Sequence, residues 1–214
     1  MVAANAARHI AGPLAGLGGG WRPLVYCWRG GQRSGAFAGI LSQIGWRVGR
    51  LEGGYKAWRA LVVARVAAPV AAPVLVLDGN TGSAKTEILA RLAARGHQVV
   101  DLEGLANHRG SLFGAMPGGQ PSQKRFESRL AMALEALDPA RPLLVEAESS
   151  RIGDLNLPCG IWQAITAAPR ICLAVPVEAR AAYTARAYAE TCADPEAVAR
   201  IVGLLRPLHP ADRI

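Results

Sequence analysis

The sequence predicts an α/β fold in which two units follow each other, each built on a strand, a glycine-rich turn and a helix. Short apolar segments suited to strands alternate with helical segments, and such alternation is typical of parallel sheets with right-handed crossovers. Glycine-rich turns follow the apolar segments that begin at Leu24 and Val74. Hydrophobic residues make up 51% of the 214 residues, which is enough to form a buried core.

The first unit begins with a short apolar strand at residues 24–26, which we predict to be buried. A glycine-rich turn follows, and then a helix with apolar side chains on one face. The apolar positions of that helix are Phe37, Ile40, Leu41 and Ile44. A second strand at 47–51 and a turn at 52–54 complete the unit.

The second unit begins with a strand at residues 74–77. The segment before it, residues 61–73, is rich in Ala, Pro and Val and predicts a linker. We therefore divide the chain into a first domain at 1–65, a linker at 66–73 and a second domain at 74–214. A helix at 86–95 ends before Gly96, a residue favoured just after helix ends. The further predicted elements are strands at 98–102, 142–146 and 170–175, and helices at 123–137 and 177–190.

The charge and cysteine content narrow the possible functions. The 24 Lys and Arg outnumber the 16 Asp and Glu, and the net charge of +8 favours a polyanionic partner such as nucleic acid, or a phosphorylated small molecule. The four cysteines form no CxxC pair and no histidine stands at zinc-ligand spacing, which argues against a structural zinc site. Charged residues and prolines interrupt the most apolar stretch, so we expect no membrane span and a soluble, cytoplasmic protein.

A cysteine follows the first strand and precedes an anion-binding arrangement. Cys27 and Arg33 are separated by five residues that include Arg29, Gly30 and Gly31. Backbone N–H groups of such a turn and of the following helix point inward, and the arginines supply a positive field. Settings of this kind lower a cysteine pKa to roughly 3.5–7.5. We therefore predict Cys27 as a nucleophile, with Arg29, Gly30, Gly31 and Arg33 around it.

The Cys-x5-Arg spacing occurs in two classes of protein, the rhodanese-like sulfur carriers and the phosphatases that form a cysteinyl phosphate. A phosphatase usually has a histidine before its cysteine and an aspartate acid nearby. Here Tyr26 precedes Cys27, and the loop contains no carboxylate. The carrier interpretation is therefore favoured, while the phosphatase interpretation stays open.

The turn after the second unit's strand has the sequence GNTGSAKT, residues 79–86, and predicts a phosphate-binding P-loop. In such loops backbone N–H groups surround the phosphates, the lysine reaches the terminal oxygens and the final hydroxyl can hold Mg²⁺. The predicted binding residues are Gly79, Thr81, Gly82, Ser83, Lys85 and Thr86. Ala84 replaces the second glycine of the pattern, and a positive φ there would cost on the order of 1 kcal/mol.

Two carboxylates follow the apolar strand at 143–145, at the place where P-loop proteins commonly hold a metal or water. They are Glu146 and Glu148. Exposed acidic residues at a strand end are often only solvated, so we treat both as candidates and assign no metal ligand.

Five sequence strings resemble the bacterial tRNA 2-selenouridine synthases. The first two, in the rhodanese domain of that family, are WRPLVYCWRGG at 21–31 and LEGGYKAW at 51–58. The others are DLEGLANHRGS at 101–111, QPSQKRFE at 120–127 and VEAESSRIG at 145–153. The resemblance implies the C-terminal part of a rhodanese-like domain followed by a P-loop NTPase-like parallel α/β domain.

The resemblance also implies an activity. Members of the family replace the sulfur of wobble 2-thiouridine in tRNA with selenium from selenophosphate, and attach a geranyl group to that sulfur from geranyl diphosphate. Cys27 would then be the nucleophile or selenium carrier, with Arg29, Gly30, Gly31 and Arg33 holding selenophosphate. The P-loop would bind geranyl diphosphate or a nucleotide, and could bind Mg²⁺ at the same site. The arginines would dock tRNA, and His108 and Arg109 would face phosphate or tRNA.

The resemblance further implies that the chain begins inside the rhodanese domain. A parallel strand is normally buried on both sides, so we expect the first 65 residues to be poorly folded. Three other functions stay open: a small-molecule kinase that uses only the P-loop, a cysteine phosphatase, and an inactive tRNA-binding fragment. The sequence leaves the oligomeric state undetermined.

Overall fold

The computed structural model describes residues 2–111, 114–189, 193 and 195–203. The backbone divides into two compact units, Met1–Ala64 and Arg65–Ile214.

The first unit consists of a two-stranded parallel sheet and its helices. Its elements are α1 (Val2–Ala11), β1 (Leu24–Val25), α2 (Gln32–Gln43), β2 (Gly49–Arg50) and the greater part of α3 (Gly54–Ala67). The strands β1 and β2 pair with Leu24 opposite Gly49. The side chains of Leu24 and Tyr26 are 63% and 58% exposed, so the prediction of a buried strand at 24–26 is wrong.

The core of the first unit is small. Leu41 of α2 is fully buried, whereas Ile44, predicted on the same apolar face, is 49% exposed. Trp46 packs edge-on against Trp21 with ring centroids 5.2 Å apart. Its indole nitrogen also donates to the Gly18 carbonyl at 3.2 Å. The expectation that this unit is poorly folded alone concerns its stability and stays a prediction.

The helix α3 extends into the segment that was predicted as a linker. It continues to Ala67, so residues 61–67 are helical, and only 68–73 of the predicted linker lie outside the helix. The side chains of Val62 and Val66 are buried, and this burial stabilises the last turns of the helix. Pro69 then prevents the residue before it from continuing in helical conformation.

The second unit is built on a four-stranded parallel sheet, as the sequence predicts. Its strands β3 (Val74–Gly79), β4 (Gln98–Val99), β5 (Leu143–Glu146) and β8 (Arg170–Leu173) lie in the order β4-β5-β3-β8. All pairs are parallel, with Leu77 of β3 opposite Glu146 of β5. This register brings the carboxyl end of β5 beside the turn that follows β3.

Helices surround this sheet. They are α4 (Lys85–Ala94), α5 (Leu102–Ala106), α6 (Gln123–Glu135), α7 (Cys159–Ala167), α8 (Val177–Ala187) and α9 (Pro195–Gly203), and a hairpin joins β6 (Arg151–Ile152) to β7 (Leu155–Asn156). Gly96 follows α4 with φ +85°, which confirms the predicted helix end. None of the described helices is both long and apolar enough to cross a membrane.

Several predicted boundaries differ from the structure. The strand predicted at 98–102 ends at Val99, because Asp101 caps α5 by accepting a hydrogen bond from the Gly104 amide at 2.8 Å. The helix α7 and the hairpin were not predicted. The strand predicted at 170–175 ends at Leu173, and the helix predicted at 177–190 ends at Ala187. Residue 190, and residues 204–214 of the predicted second domain, lie outside the described residues.

Candidate functional site

The loop after β1 is held by close backbone packing against the turn that begins α3. Gly30 and Gly54 have φ of +66° and +62°, a conformation that favours glycine. A Cβ on Gly54 would overlap the Cys27 carbonyl oxygen and the Gly30 amide nitrogen. The Tyr55 amide donates to that same carbonyl at 2.9 Å, and the Lys56 amide to the Trp28 carbonyl at 3.0 Å. The start of α3 therefore fixes the backbone of the cysteine loop.

The thiol of Cys27 lies where hydrogen-bond donors converge. Its Sγ is 3.3 Å from the Ser34 hydroxyl oxygen. The pKa of Cys27 is lowered to about 6, chiefly by the Ser34 hydroxyl, then by the Ser34 backbone amide and by those of Arg29 and Gly31, against a smaller opposing effect of burial. At neutral pH the side chain is therefore mostly the nucleophilic thiolate.

The predicted residues of the cysteine loop share one cleft. Cys27, Arg29, Gly31 and Arg33 line an open cleft of about 620 Å³, together with Trp28 and Gln32. Gly30 is needed for the close approach of two backbone segments, since a Cβ added at this position would lie 2.8 Å from the Leu51 carbonyl oxygen.

Ser34 is one of the site residues that the sequence analysis missed. It is 2% exposed and lies in the first turn of α2, facing the cysteine. Its single hydroxyl proton can be donated either to the Cys27 sulfur or to the Gly31 carbonyl oxygen, which lies 3.1 Å away. A hydroxyl in the first helical turn after a cysteine loop is the signal that would have identified it.

The P-loop after β3 has the expected left-handed turns. Gly79 and Gly82 have φ of +151° and +83°. The Lys85 ammonium donates to the Gly79 carbonyl at 2.9 Å, and the Arg180 guanidinium to the Thr81 carbonyl at 3.2 Å. Ser83 is 4% exposed, and its hydroxyl oxygen has no hydrogen-bond partner among the described residues. A buried hydroxyl of this kind is available to a ligand.

Ala84 is one of two described non-glycine residues with positive φ. Its φ and ψ are 59° and 28°, in the left-handed region, at the position that caps α4. An alanine in this conformation costs roughly 1–2 kcal/mol relative to a right-handed one. Strain of this size persists only where the surrounding structure imposes it, and here it is located in the predicted phosphate loop.

Three carboxylates lie beside the P-loop. Oxygens of Glu103, Glu146 and Glu148 are all within 4.8 Å of one another. Glu146 at the end of β5 is 4% exposed, so the idea that it is an exposed strand-end acid is wrong. Glu103 was missed; it belongs to α5, and the Thr86 hydroxyl donates to it at 3.2 Å.

The pKa values of all three carboxyl groups in the acidic cluster are raised. Burial, followed by the charges of Glu146 and Glu148, raises the pKa of Glu103 to about 8. Burial and the charge of Glu146 raise the pKa of Glu148 to about 7. Burial also raises the pKa of Glu146, whose Oε1 has no hydrogen-bond partner among the described residues. The positive charge of a divalent cation would relieve this repulsion between carboxylates. Mg²⁺ suits the cluster, because all of the donors are oxygens, the ligands that Mg²⁺ prefers.

The P-loop and two of the three carboxylates, Glu103 and Glu146, line one cleft of about 440 Å³. Its polar side is formed by residues 81–87, Glu103, Arg109 and Glu146. The remaining lining residues are Ala90, Tyr183, Thr184, Ala187 and Tyr188. The cleft therefore offers an anion-binding loop beside aromatic and small apolar side chains.

The two residues predicted to face phosphate or tRNA differ in their surroundings. The His108 imidazole accepts a hydrogen bond from the Gly110 amide at 3.1 Å. Partial burial lowers its pKa. Arg109 instead lines the P-loop cleft. Of these two residues, only Arg109 lies at the cleft of the P-loop.

Comparison with known proteins identifies the second unit. A family model described as "tRNA 2-selenouridine synthase AAA domain" matches residues 72–200. A tRNA 2-selenouridine synthase of Shewanella loihica is 44% identical over 159 residues, which are 73% of this chain and 42% of that protein. One of Chromohalobacter salexigens is 40% identical over 168 residues, 78% of this chain and 45% of that protein.

A third relative, from Alcanivorax borkumensis, is 42% identical over 167 residues, 77% of this chain and 45% of that protein. The chain thus spans less than half the length of these curated relatives. No solved structure matches it significantly. The rhodanese character of the first unit, which precedes the matched family domain at 72–200, stays a prediction. The family match over most of the second unit and the three relatives agree, and the chain belongs to the tRNA 2-selenouridine synthase family.

Proposed function

We propose that this chain replaces the sulfur of wobble 2-thiouridine in tRNA with selenium from selenophosphate. The observation that carries the proposal is the position of the Cys27 thiol, 3.3 Å from the buried Ser34 hydroxyl and in one cleft with Arg29 and Arg33, in a chain of this family. These donors agree with the lowered pKa of Cys27, about 6. A thiolate of this kind is suited to nucleophilic attack. We assign the selenium step to the first unit, which is the rhodanese-like part in this proposal.

Selenophosphate is a small anion, and the cysteine cleft has the groups to hold one. Arg29 and Arg33 line the cleft beside Cys27, and their guanidinium groups match the oxygens of a phosphate. The backbone amides of Arg29, Gly31 and Ser34 point at the sulfur. These donors favour negative charge on the thiol and on an anion beside it.

The second unit, in this proposal, binds the diphosphate of geranyl diphosphate for the associated geranylation. Lys85, which now contacts the Gly79 carbonyl, and the buried Ser83 hydroxyl would bind phosphate oxygens. Thr86, Glu103 and Glu146 would hold Mg²⁺, which neutralises phosphate charge when bound. The apolar side of the cleft suits a hydrocarbon chain. A nucleotide is the alternative ligand for the same loop.

Transfer RNA is the proposed macromolecular substrate. The net charge of +8 favours binding to its phosphates. Binding through phosphates releases counterions, so the affinity should fall steeply as salt concentration rises.

The proposal is tested by supplying the whole chain with 2-thiouridine tRNA, selenophosphate and geranyl diphosphate, followed by mass spectrometry of the digested nucleosides. We expect 2-selenouridine from the wild type and from Cys159→Ser, the matched control for an exposed thiol. Cys27→Ala should yield none. Full activity of Cys27→Ala would contradict the role of the thiol.

Other outcomes would favour the alternative functions. A phosphorylated Cys27 would indicate a phosphatase. ATP turnover that depends on Lys85 but not on Cys27 would indicate a kinase. Binding of tRNA without any product would indicate an inactive fragment. Each of these outcomes would contradict the proposed selenium transfer by this chain.

A further inference from the structure

Arg109 is braced at the P-loop cleft by the end of α8. Its guanidinium donates to the Ala187 carbonyl at 2.6 Å and lies over the Tyr188 ring, 5.1 Å from the centroid. The Tyr188 hydroxyl is in turn 3.0 Å from the Ser111 hydroxyl. Cation–π contact and a charge-assisted hydrogen bond together restrict the orientation of the guanidinium.

The same helix also touches the P-loop. A Cβ on Gly82 would meet the Thr184 hydroxyl at 2.5 Å and the Arg180 carbonyl at 2.6 Å. The α8 helix thus contacts the P-loop through Arg180 and Thr184, and the groups that hold Arg109 lie at its C-terminal end. The position of Arg109 relative to the loop is therefore fixed by one rigid element.

Arg109 and Lys85 both present positive charge to this cleft. In the described part of the chain, the hydrogen bonds from both side chains go to backbone carbonyls, and neither forms an ion pair with a carboxylate. A guanidinium has five N–H donors in a planar fork, and one hydrogen bond to a carbonyl leaves most of them for a ligand. Two cations held in this way match the charge of a ligand with adjacent phosphates.

We propose that Arg109 is a second phosphate-binding residue of this cleft, which contacts the phosphate of a diphosphate that lies farther from the P-loop. The inference rests on the proposed diphosphate-binding function of the second unit and names a specificity-determining residue for it. The P-loop and Lys85 hold one phosphate, and Arg109 selects for a second one. Tyr188 and the Ala187 carbonyl act as positioning groups.

The simpler alternative is that Arg109 only clamps its loop to α8. A clamp would stabilise the fold without distinguishing one phosphate from two. Arg65 provides a matched control, because it also donates to a backbone carbonyl, that of Leu134, at 2.7 Å and does not line the cleft.

The test is calorimetric titration of the whole chain, in excess Mg²⁺, with inorganic pyrophosphate and separately with inorganic phosphate. We expect Arg109→Ala to weaken pyrophosphate binding about tenfold, equivalent to about 1.4 kcal/mol, and phosphate binding by less than about twofold, within the usual scatter of distant effects. Arg109→Lys, which keeps the charge but loses the fork, should show an intermediate loss. Arg65→Lys should leave both affinities unchanged.

The outcomes separate the two proposals. If the wild type binds pyrophosphate through Lys85 and Arg109→Ala and Arg109→Lys bind it equally well, the role of Arg109 is refuted while the diphosphate function stands. Equal loss for phosphate and pyrophosphate, accompanied by a lower melting temperature, would identify Arg109 as a clamp only. If the wild type binds neither ligand, the diphosphate function itself fails, and the role of Arg109 with it.

Discussion

The cysteine loop and the P-loop are both glycine-rich turns that follow a parallel strand, but they are assembled differently. The cysteine site is formed mainly by the consecutive residues 27–34, supported by the Gly53–Gly54 turn. The P-loop site combines groups from β3, α5, β5 and α8, which are far apart in sequence. The first site depends on local backbone geometry, whereas the second depends on how the sheet is ordered.

The largest effect should come from Gly54→Ala, which tests whether the cysteine site is fixed by backbone packing. The new Cβ would overlap the Cys27 carbonyl at positive φ. We expect a loss of at least about 3 kcal/mol in unfolding free energy of the first unit, in the range of severe core changes, and slow alkylation of Cys27. Urea unfolding measures the unfolding free energy, and the rate of reaction with iodoacetamide measures the alkylation of Cys27.

The control for this substitution is Gly39→Ala in α2, where the added Cβ meets open space. It should stabilise the helix slightly, because alanine has the higher helix propensity. Equal behaviour of the two variants would refute the idea that close backbone approach holds the cysteine loop.

Ser34→Ala tests the electrostatic part of the same site. The Ser34 hydroxyl is the largest cause of the lowered pKa of Cys27, about 6. Its removal should raise that pKa, so the midpoint of the alkylation pH profile moves upward. At pH 7 a thiol of pKa 6 is about nine-tenths thiolate, and a shift of two units would lower the rate about tenfold.

Ser42→Ala is the matched control, since Ser42 is exposed in the last turn of α2. Its alkylation profile should coincide with that of the wild type. A Ser34→Ala profile that also coincides would show that backbone amides alone stabilise the thiolate.

Ala84→Gly should give the smallest effect, in the stabilising direction. Removing the Cβ relieves roughly 1–2 kcal/mol of left-handed strain, while the added freedom of the unfolded chain costs about 0.4–1 kcal/mol. We expect a net gain of between about 0 and 1.6 kcal/mol, seen as an equal or higher melting temperature. Asn107→Gly, the other positive-φ site, should instead destabilise, because it removes two side-chain hydrogen bonds. A lower melting temperature for Ala84→Gly would show that Ala84 is not strained.

The same contrast explains what the sequence could predict. The strand, turn and helix order around Cys27 and Lys85 is local, so both loops and the parallel sheet could be predicted from glycine positions and apolar periodicity. The cluster of Glu103 with Glu146 could not, because it depends on β4 lying next to β5, a pairing of distant segments. The continuation of α3 to Ala67 was missed because Val62 and Val66 are stabilised by burial rather than by local propensity.

The most direct test of the separation between the two sites is geranylation with 2-thiouridine tRNA and geranyl diphosphate alone, followed by nucleoside mass spectrometry. We expect Cys27→Ala to form the geranylated nucleoside at the wild-type rate and Lys85→Ala to form almost none, because the proposed phosphate contacts belong to the second unit. Loss of the product in Cys27→Ala, or its retention in Lys85→Ala, would contradict the assignment of the two steps to two sites.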